Sequence, residues 1–182
     1  MNIIGGEKRG SKLALCPSKA VRPTAQRTRE ALFNILQGGR FSFSLSEANV
    51  IDLFAGTGAI GLEALSRGAK SCVFVEQDQA ALQTLQANIS KLKLEDCAHI
   101  LAKDARQIHS WPRTRADLVF ADPPYSSSLA GEGLHQLVVA NAVVQQALIV
   151  VETRKTNNCH LGPEFVLVDS CLLYTSPSPR DS

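Results

Sequence analysis

From Val50 onward the chain repeats one unit: an apolar run, a glycine or polar turn, then a helical stripe. Apolar runs at 50–55, 71–75, 99–102, 118–121 and 147–151 alternate with helical patterns at 59–67, 79–92 and 134–144. In the second helix Ala81, Leu82, Leu85 and Ile89 form the inward stripe. The strands read as continuous hydrophobic runs, so each is buried on both faces. With helices between them, this predicts an α/β fold with a mostly parallel central sheet flanked by helices. Ligands of such sheets sit beyond the C-terminal strand ends, where the strand order reverses. Asp52, Gly56, Glu76, Asp104 and Asp122 all fall at or just past those ends.

The first 40 residues are different in kind. They hold eight Lys and Arg against two Glu, a net of +6, while the remaining 142 carry a net of −4. A basic arm on a mildly acidic body suits a polyanionic partner. Within the arm, the turn signals Gly5-Gly6 and Arg9-Gly10 predict a short hairpin over 3–15, followed by a loop over 17–23. Thr24 is placed to cap a helix over 25–37 with Thr28, Leu32, Ile35 and Leu36 as its stripe. The chain thus divides into a basic arm at 1–40, a ligand-binding domain at 41–170, and a segment at 171–182. That last segment has no partner pattern and reads as a non-native tail; a further strand is expected at 165–168.

Five scattered cysteines without a C-x-x-C pair are expected to be reduced thiols in a cytoplasmic protein. The four histidines lack metal-ligand spacing, so no metal is expected. No apolar stretch approaches the roughly 20 residues that span a bilayer, and the first residues carry no signal-peptide pattern.

Asp52-Leu-Phe-Ala55-Gly56-Thr57-Gly58-Ala-Ile-Gly61 leaves a strand through a glycine turn into a helix, and Glu76 ends the next strand, 18 residues beyond Gly58. By spacing this is a dinucleotide fingerprint, with Glu76 on the ribose hydroxyls. S-adenosylmethionine needs the same ribose contact but brings an ammonium near the loop. Asp52 suits that ammonium and would sit poorly beside a pyrophosphate. Asp104-Ala105, after the third strand, is placed for the adenine. An NAD oxidoreductase remains the competing reading of the loop, but it leaves the next motif unexplained.

Asp122-Pro123-Pro124-Tyr125 follows the apolar run 116–121. The exocyclic amine of a nucleobase is a poor nucleophile because its lone pair is delocalised into the ring. Two acceptors can bind its hydrogens and aim the lone pair at a methyl. Asp122 supplies one, the Pro123 carbonyl the other, and Tyr125 stacks the base. With a reference pKa of about 3.9, Asp122 need not be a strong base. Alignment supplies up to roughly 7–11 kcal/mol, and a carboxylate facing developing positive charge supplies more.

Together, Asp122–Tyr125, the Asp52–Gly58 loop, Gly61-Leu-Glu-Ala-Leu-Ser-Arg-Gly-Ala69 and the arm resemble the bacterial 16S rRNA guanine-N2 methyltransferase family. In the arm the resemblance rests on Ile3-Ile4-Gly5-Gly6, Arg9-Gly10, Lys12-Leu13, Arg22-Pro23-Thr24, Arg27, Arg29-Glu30 and Phe33–Leu36. It covers about residues 3–170. The resemblance implies a Rossmann-like class I methyltransferase that uses S-adenosylmethionine to methylate N2 of a guanine in 16S rRNA, in a partly or fully assembled small ribosomal subunit. It implies cofactor contacts at Asp52, Ala55, Gly56, Gly58, Glu76, Asp104 and Ala105, and catalytic roles for Asp122, Pro123 and Tyr125. Lys8, Arg9, Lys12, Arg22 and Arg27 are candidates for phosphate contacts, and a monomer is expected.

Two departures affect the arm: Asn2 stands where the family usually has an arginine, and Ser11 interrupts the basic cluster. The family also ends in an antiparallel strand that 171–182 does not resemble. That strand is expected to be missing or replaced, leaving a marginally stable chain. Alternatives are an adenine-N6 methyltransferase on DNA or RNA, and a non-catalytic RNA-binding factor with the same fold.

Overall fold

The computed structural model describes residues 1–16, 23–123, 127–153 and 161–170. Five strands occupy β1 Asn49–Leu53, β2 Ser71–Glu76, β3 Ala98–Ala102, β4 Ala116–Ala121 and β5 Val143–Val151. All neighbours are parallel, in the order β3-β2-β1-β4-β5. The chain walks outward from β1 to β3, then returns to lay β4 on the other side of β1. The strand order therefore reverses between β1 and β4, and a crevice opens above their C-terminal ends.

Alternate side chains feed two cores. Val50, Cys72, Phe74, Leu118 and Phe120 face one side, where they meet Leu62 of α2 (Ala59–Ser66), Leu85 and Ile89 of α3 (Gln79–Leu92), and Phe33 and Leu36 of α1 (Pro23–Gln37). Ile51, Leu53, Val73, Val75, Val119 and Ala121 face the other, against Leu134 and Leu137 of α4 (Ser127–Val139). This two-sided burial is what the unbroken hydrophobic runs require.

The N-terminal segment folds back on itself. Asn2 pairs antiparallel with Lys12, and Ile3 N–H donates to the Ser11 carbonyl at 3.0 Å. Ile3 and Leu13 are buried in the first core. Buried Glu63 of α2 fixes the turnback by accepting from the Ile4 and Gly5 amides at 2.8 Å each. Gly6, at φ +75°, lies so close to α2 that a Cβ would meet the Ser66 carbonyl oxygen at 1.7 Å.

Four expectations change. Helix α1 begins at Pro23, so Thr24 is its second residue rather than its cap. Proline fits there because the first helical N–H has no partner within the helix. The buried line of α1 is Arg29, Phe33 and Leu36, rotated from the expected stripe, because Arg29 turns inward to Glu63. The helix expected at 134–144 is α4, ending at Val139, and Asn141 adopts a left-handed conformation (φ 57°) that turns the chain. Val143 then already pairs with Ala116, and a bulge separates that pair from Leu118–Leu148, which hid the start of β5 from the apolar pattern. The strand expected at 165–168 is absent: Val166 and Leu167 are 83% and 81% exposed, and only Phe165 packs on the second core. Residues 171–182 lie outside the described residues.

Candidate active site

Beyond β1 the backbone turns sharply, with Phe54, Gly56 and Gly58 all at positive φ (68°, 56° and 81°). Two of the loop's glycines are demanded by packing. A Cβ at Gly58 would lie 2.3 Å from Leu85 Cδ1, and one at Gly61 would lie 2.4 Å from Phe74 Cε1. Gly56 differs, since its Cβ position faces open space. That leaves its backbone accessible to a ligand above the strand ends.

Asp52 sits under this loop, 3% exposed, and its Oδ2 accepts the Gly61 amide at 2.9 Å. This satisfies an N–H in the first turn of α2 that has no partner within the helix. Burial, reinforced by the Asp122 and Glu76 charges, outweighs that hydrogen bond and pushes the Asp52 carboxyl up to about 8. Three carboxylates from β1, β2 and β4 thus converge where the strand order reverses.

Glu76 closes β2. Its Oε2 accepts the Gly56 amide at 2.7 Å, and its Oε1 accepts the Gln77 and Asp78 amides at 2.8 Å. A carboxylate has about four lone-pair sites, so acceptor capacity remains at Oε2 for a hydroxyl of a ligand. Ala55 N–H donates to the Val75 carbonyl at 3.0 Å, which joins the loop to the end of β2.

Asp104 and Ala105 lie past β3, where Asp104 opens a single 3₁₀ turn over Ala105–Gln107. The Arg106 side chain grips the Asp104 carboxylate at 2.6 Å and, with the Arg106 amide, holds its pKa below the usual range. Ala105 is buried in the second core.

Asp122 is exposed just past β4, and Pro123 is half-buried. Pro124 and Tyr125 lie outside the described residues. Leu53 pairs with Ala121, which sets Asp122 one residue beyond the end of β1. In the arm, Arg9, Lys12 and Arg27 are exposed, and half-buried Lys8 pairs with Glu7 at 2.9 Å; Arg22 is outside the described residues.

Sequence reasoning passed over three side chains. Glu152 follows β5 as Asp122 follows β4, and its amide donates to the Ala121 carbonyl at 2.9 Å. Loss of water around its carboxyl and then the Asp122 charge raise its pKa, although Glu152 keeps exposed surface. Its place at a strand end was a readable signal. Arg106 and Asn88 gave none, because their partners depend on the fold.

Cys16, Cys72 and Cys97 are free thiols. Among the described residues no cluster of three or more His, Cys, Asp or Glu side chains could hold a metal ion. No described helix is long and apolar enough to cross a membrane.

A parallel sheet in this order, with a glycine loop after β1 and carboxylates at the neighbouring strand ends, defines a class I methyltransferase with a Rossmann-like fold. The chain belongs to the family described as conserved hypothetical protein 95, which matches residues 1–169. It is 38% identical over 163 residues to the ribosomal RNA small subunit methyltransferase D of Escherichia coli K12, covering 90% of this chain and 79% of that one. The protein of the same name from Haemophilus influenzae is 35% identical over 158 residues, covering 85% and 79%. Among solved structures, the putative methyltransferase yhhF from Escherichia coli superposes with a TM-score of 0.76 at 34% identity, covering 90% of this chain and 86% of that one.

Proposed function

We propose that this protein transfers a methyl group from S-adenosylmethionine to the exocyclic N2 of a guanine in 16S rRNA. The observation that carries the reading is the meeting of Asp52, Glu76 and Asp122 above the β1–β4 crevice, beside an open glycine backbone. The names of the similar small-subunit methyltransferases support the RNA substrate.

The donor set suits a cationic cofactor. Three converging carboxylates repel one another, and a ligand bearing an ammonium and a sulfonium relieves that repulsion. S-adenosylmethionine supplies an electrophilic methyl when bound. Glu76 would accept from the ribose hydroxyls, the Ala55–Gly58 backbone would line the methionine end, and Asp104-Ala105 would border the adenine. Arg106 competes there for Asp104, so the adenine contact falls to lone pairs that Arg106 leaves unused.

Asp122 and the Pro123 carbonyl would bind the two amine hydrogens and aim the nitrogen lone pair along the transfer axis. As the N–C bond forms the nitrogen gains positive charge, and the Asp122 carboxylate offsets it and accepts or relays the proton. Tyr125 would stack the unpaired base. Lys8, Arg9, Lys12, Arg22 and Arg27 would engage phosphates of the small-subunit RNA, the protein acting as a cytoplasmic monomer.

Incubation with labelled cofactor and small ribosomal subunits tests this. Label is expected in the 16S RNA as N2-methylguanosine, and Asp122→Ala should lower kcat by at least about 10²-fold, as for removal of one transition-state hydrogen bond. N6-methyladenosine as the product would replace the base assignment, and an unimpaired Asp122→Ala would remove the role given to Asp122.

A further inference from the structure

The inward face of α3 is apolar except at one position. Asn88 is 0% exposed and lies between Leu85, Ile89 and Leu92. A buried carboxamide is tolerated only when its polar atoms are satisfied. Here Oδ1 accepts the Ala14 amide at 2.7 Å, while Nδ2 donates to the Ala14 carbonyl at 3.3 Å and to the Thr57 carbonyl at 3.0 Å. The two segments it joins are 74 and 31 residues away in sequence.

Those segments belong to different parts of the proposed site. Thr57 lies between the two left-handed glycines of the cofactor loop, and Ala14 ends the N-terminal turnback that carries Lys8, Arg9 and Lys12. The amide group is planar, so its oxygen and nitrogen move together. A shift of the Thr57 carbonyl that turns the carboxamide also turns Oδ1 relative to the Ala14 N–H. Helix α3 anchors the pivot, with Asp78 capping its N-terminus through the Ala81 amide at 2.8 Å.

We propose that Asn88 is a positioning residue that couples the cofactor loop to the basic N-terminal segment. Filling the cofactor site orders residues 11–16, and by linkage an arm engaged on RNA tightens the cofactor site. This rests on the cofactor and RNA reading given above.

Hydrogen exchange of the full chain, with and without S-adenosylhomocysteine, tests the coupling without RNA. In the wild type the ligand is expected to slow exchange about fivefold or more both in the loop at 54–61 and in the segment at 11–16. In Asn88→Leu, close in shape but without the three hydrogen bonds, protection should remain in the loop and vanish at 11–16. Asn88→Ser serves as the second variant should the leucine protein fail to fold. Protection at 11–16 that survives in the variant, or is absent in the wild type while the loop is protected, overturns the coupling. If the ligand protects neither segment, the cofactor reading falls and the coupling with it. Coupled protection in a wild type that fails to methylate small subunits supports the coupling and overturns only the substrate assignment.

Discussion

Sealed beneath a glycine loop and facing two other carboxylates, Asp52 keeps its proton far more tightly in the folded chain than in the unfolded one. Its carboxyl rises from the ordinary 3.8 to about 8. A carboxyl with a raised folded pKa stabilises the native state fully below its unfolded value, and that contribution is lost as pH climbs towards the folded one. The loss therefore spans pH 3.8 to about 8. Asp52→Asn keeps an acceptor for the Gly61 amide and does not titrate. Its melting temperature should gain on that of the wild type across this window, with parallel curves counting against the assignment. The same substitution removes charge that the cationic cofactor would meet, so cofactor affinity should fall as stability rises. At Gly61 the constraint is steric: a Cβ would strike Phe74 and the Cys72 sulfur, at 2.4 and 2.7 Å. Gly61→Ala should destabilise by about 1–3 kcal/mol through overpacking, measured by chemical denaturation.

Among the elements, one short helix holds the N-terminal segment to the sheet. Glu63 of α2, 0% exposed, receives the Ile4 and Gly5 amides and the Arg67 side chain at 2.7 Å, with Arg29 Nε 3.6 Å away. Arg67 stacks over the Phe33 ring at 4.9 Å, and Phe33 in turn packs on Phe120 of β4 at 5.6 Å. The N-terminal turnback, α1, α2 and the sheet thus share one buried polar cluster within an apolar core. Removing one member of a buried ion cluster strands the others, which costs about 3–5 kcal/mol. Glu63→Ala should lose that much in an unfolding experiment, and protease cleavage should become faster near residues 1–16. A loss below about 1 kcal/mol would show that the cluster is not buried as described.

Across the whole molecule, charge is segregated: a net of +6 on the first 40 residues and −4 on the rest. If the arm engages RNA phosphates, Lys8→Ala, Arg9→Ala, Lys12→Ala and Arg27→Ala should each weaken RNA binding at all sequences. Each should also reduce the salt slope by about 0.7–0.9 for every phosphate no longer neutralised. Melting should barely change for exposed Arg9, Lys12 and Arg27. A flat salt dependence in the wild type would remove the arm from the interface. The alternation of strands and helices, the glycine loop and the acids at strand ends were legible in the chain, because local periodicity and turn chemistry act within a few residues. The inward turn of Arg29, the hold of Arg106 on Asp104 and the left-handed Asn141 that ends α4 early were not, because each depends on where other elements pack. Local pattern was enough to specify a parallel sheet and the residues that stand at its C-terminal ends. It took the packed fold to bring Asp52, Glu76 and Asp122 into one electrostatic site, to tie the N-terminal segment to the sheet through Glu63, and to link residues 14 and 57 through Asn88. Such contacts join positions tens of residues apart, and their geometry exists only once the strand order has been set.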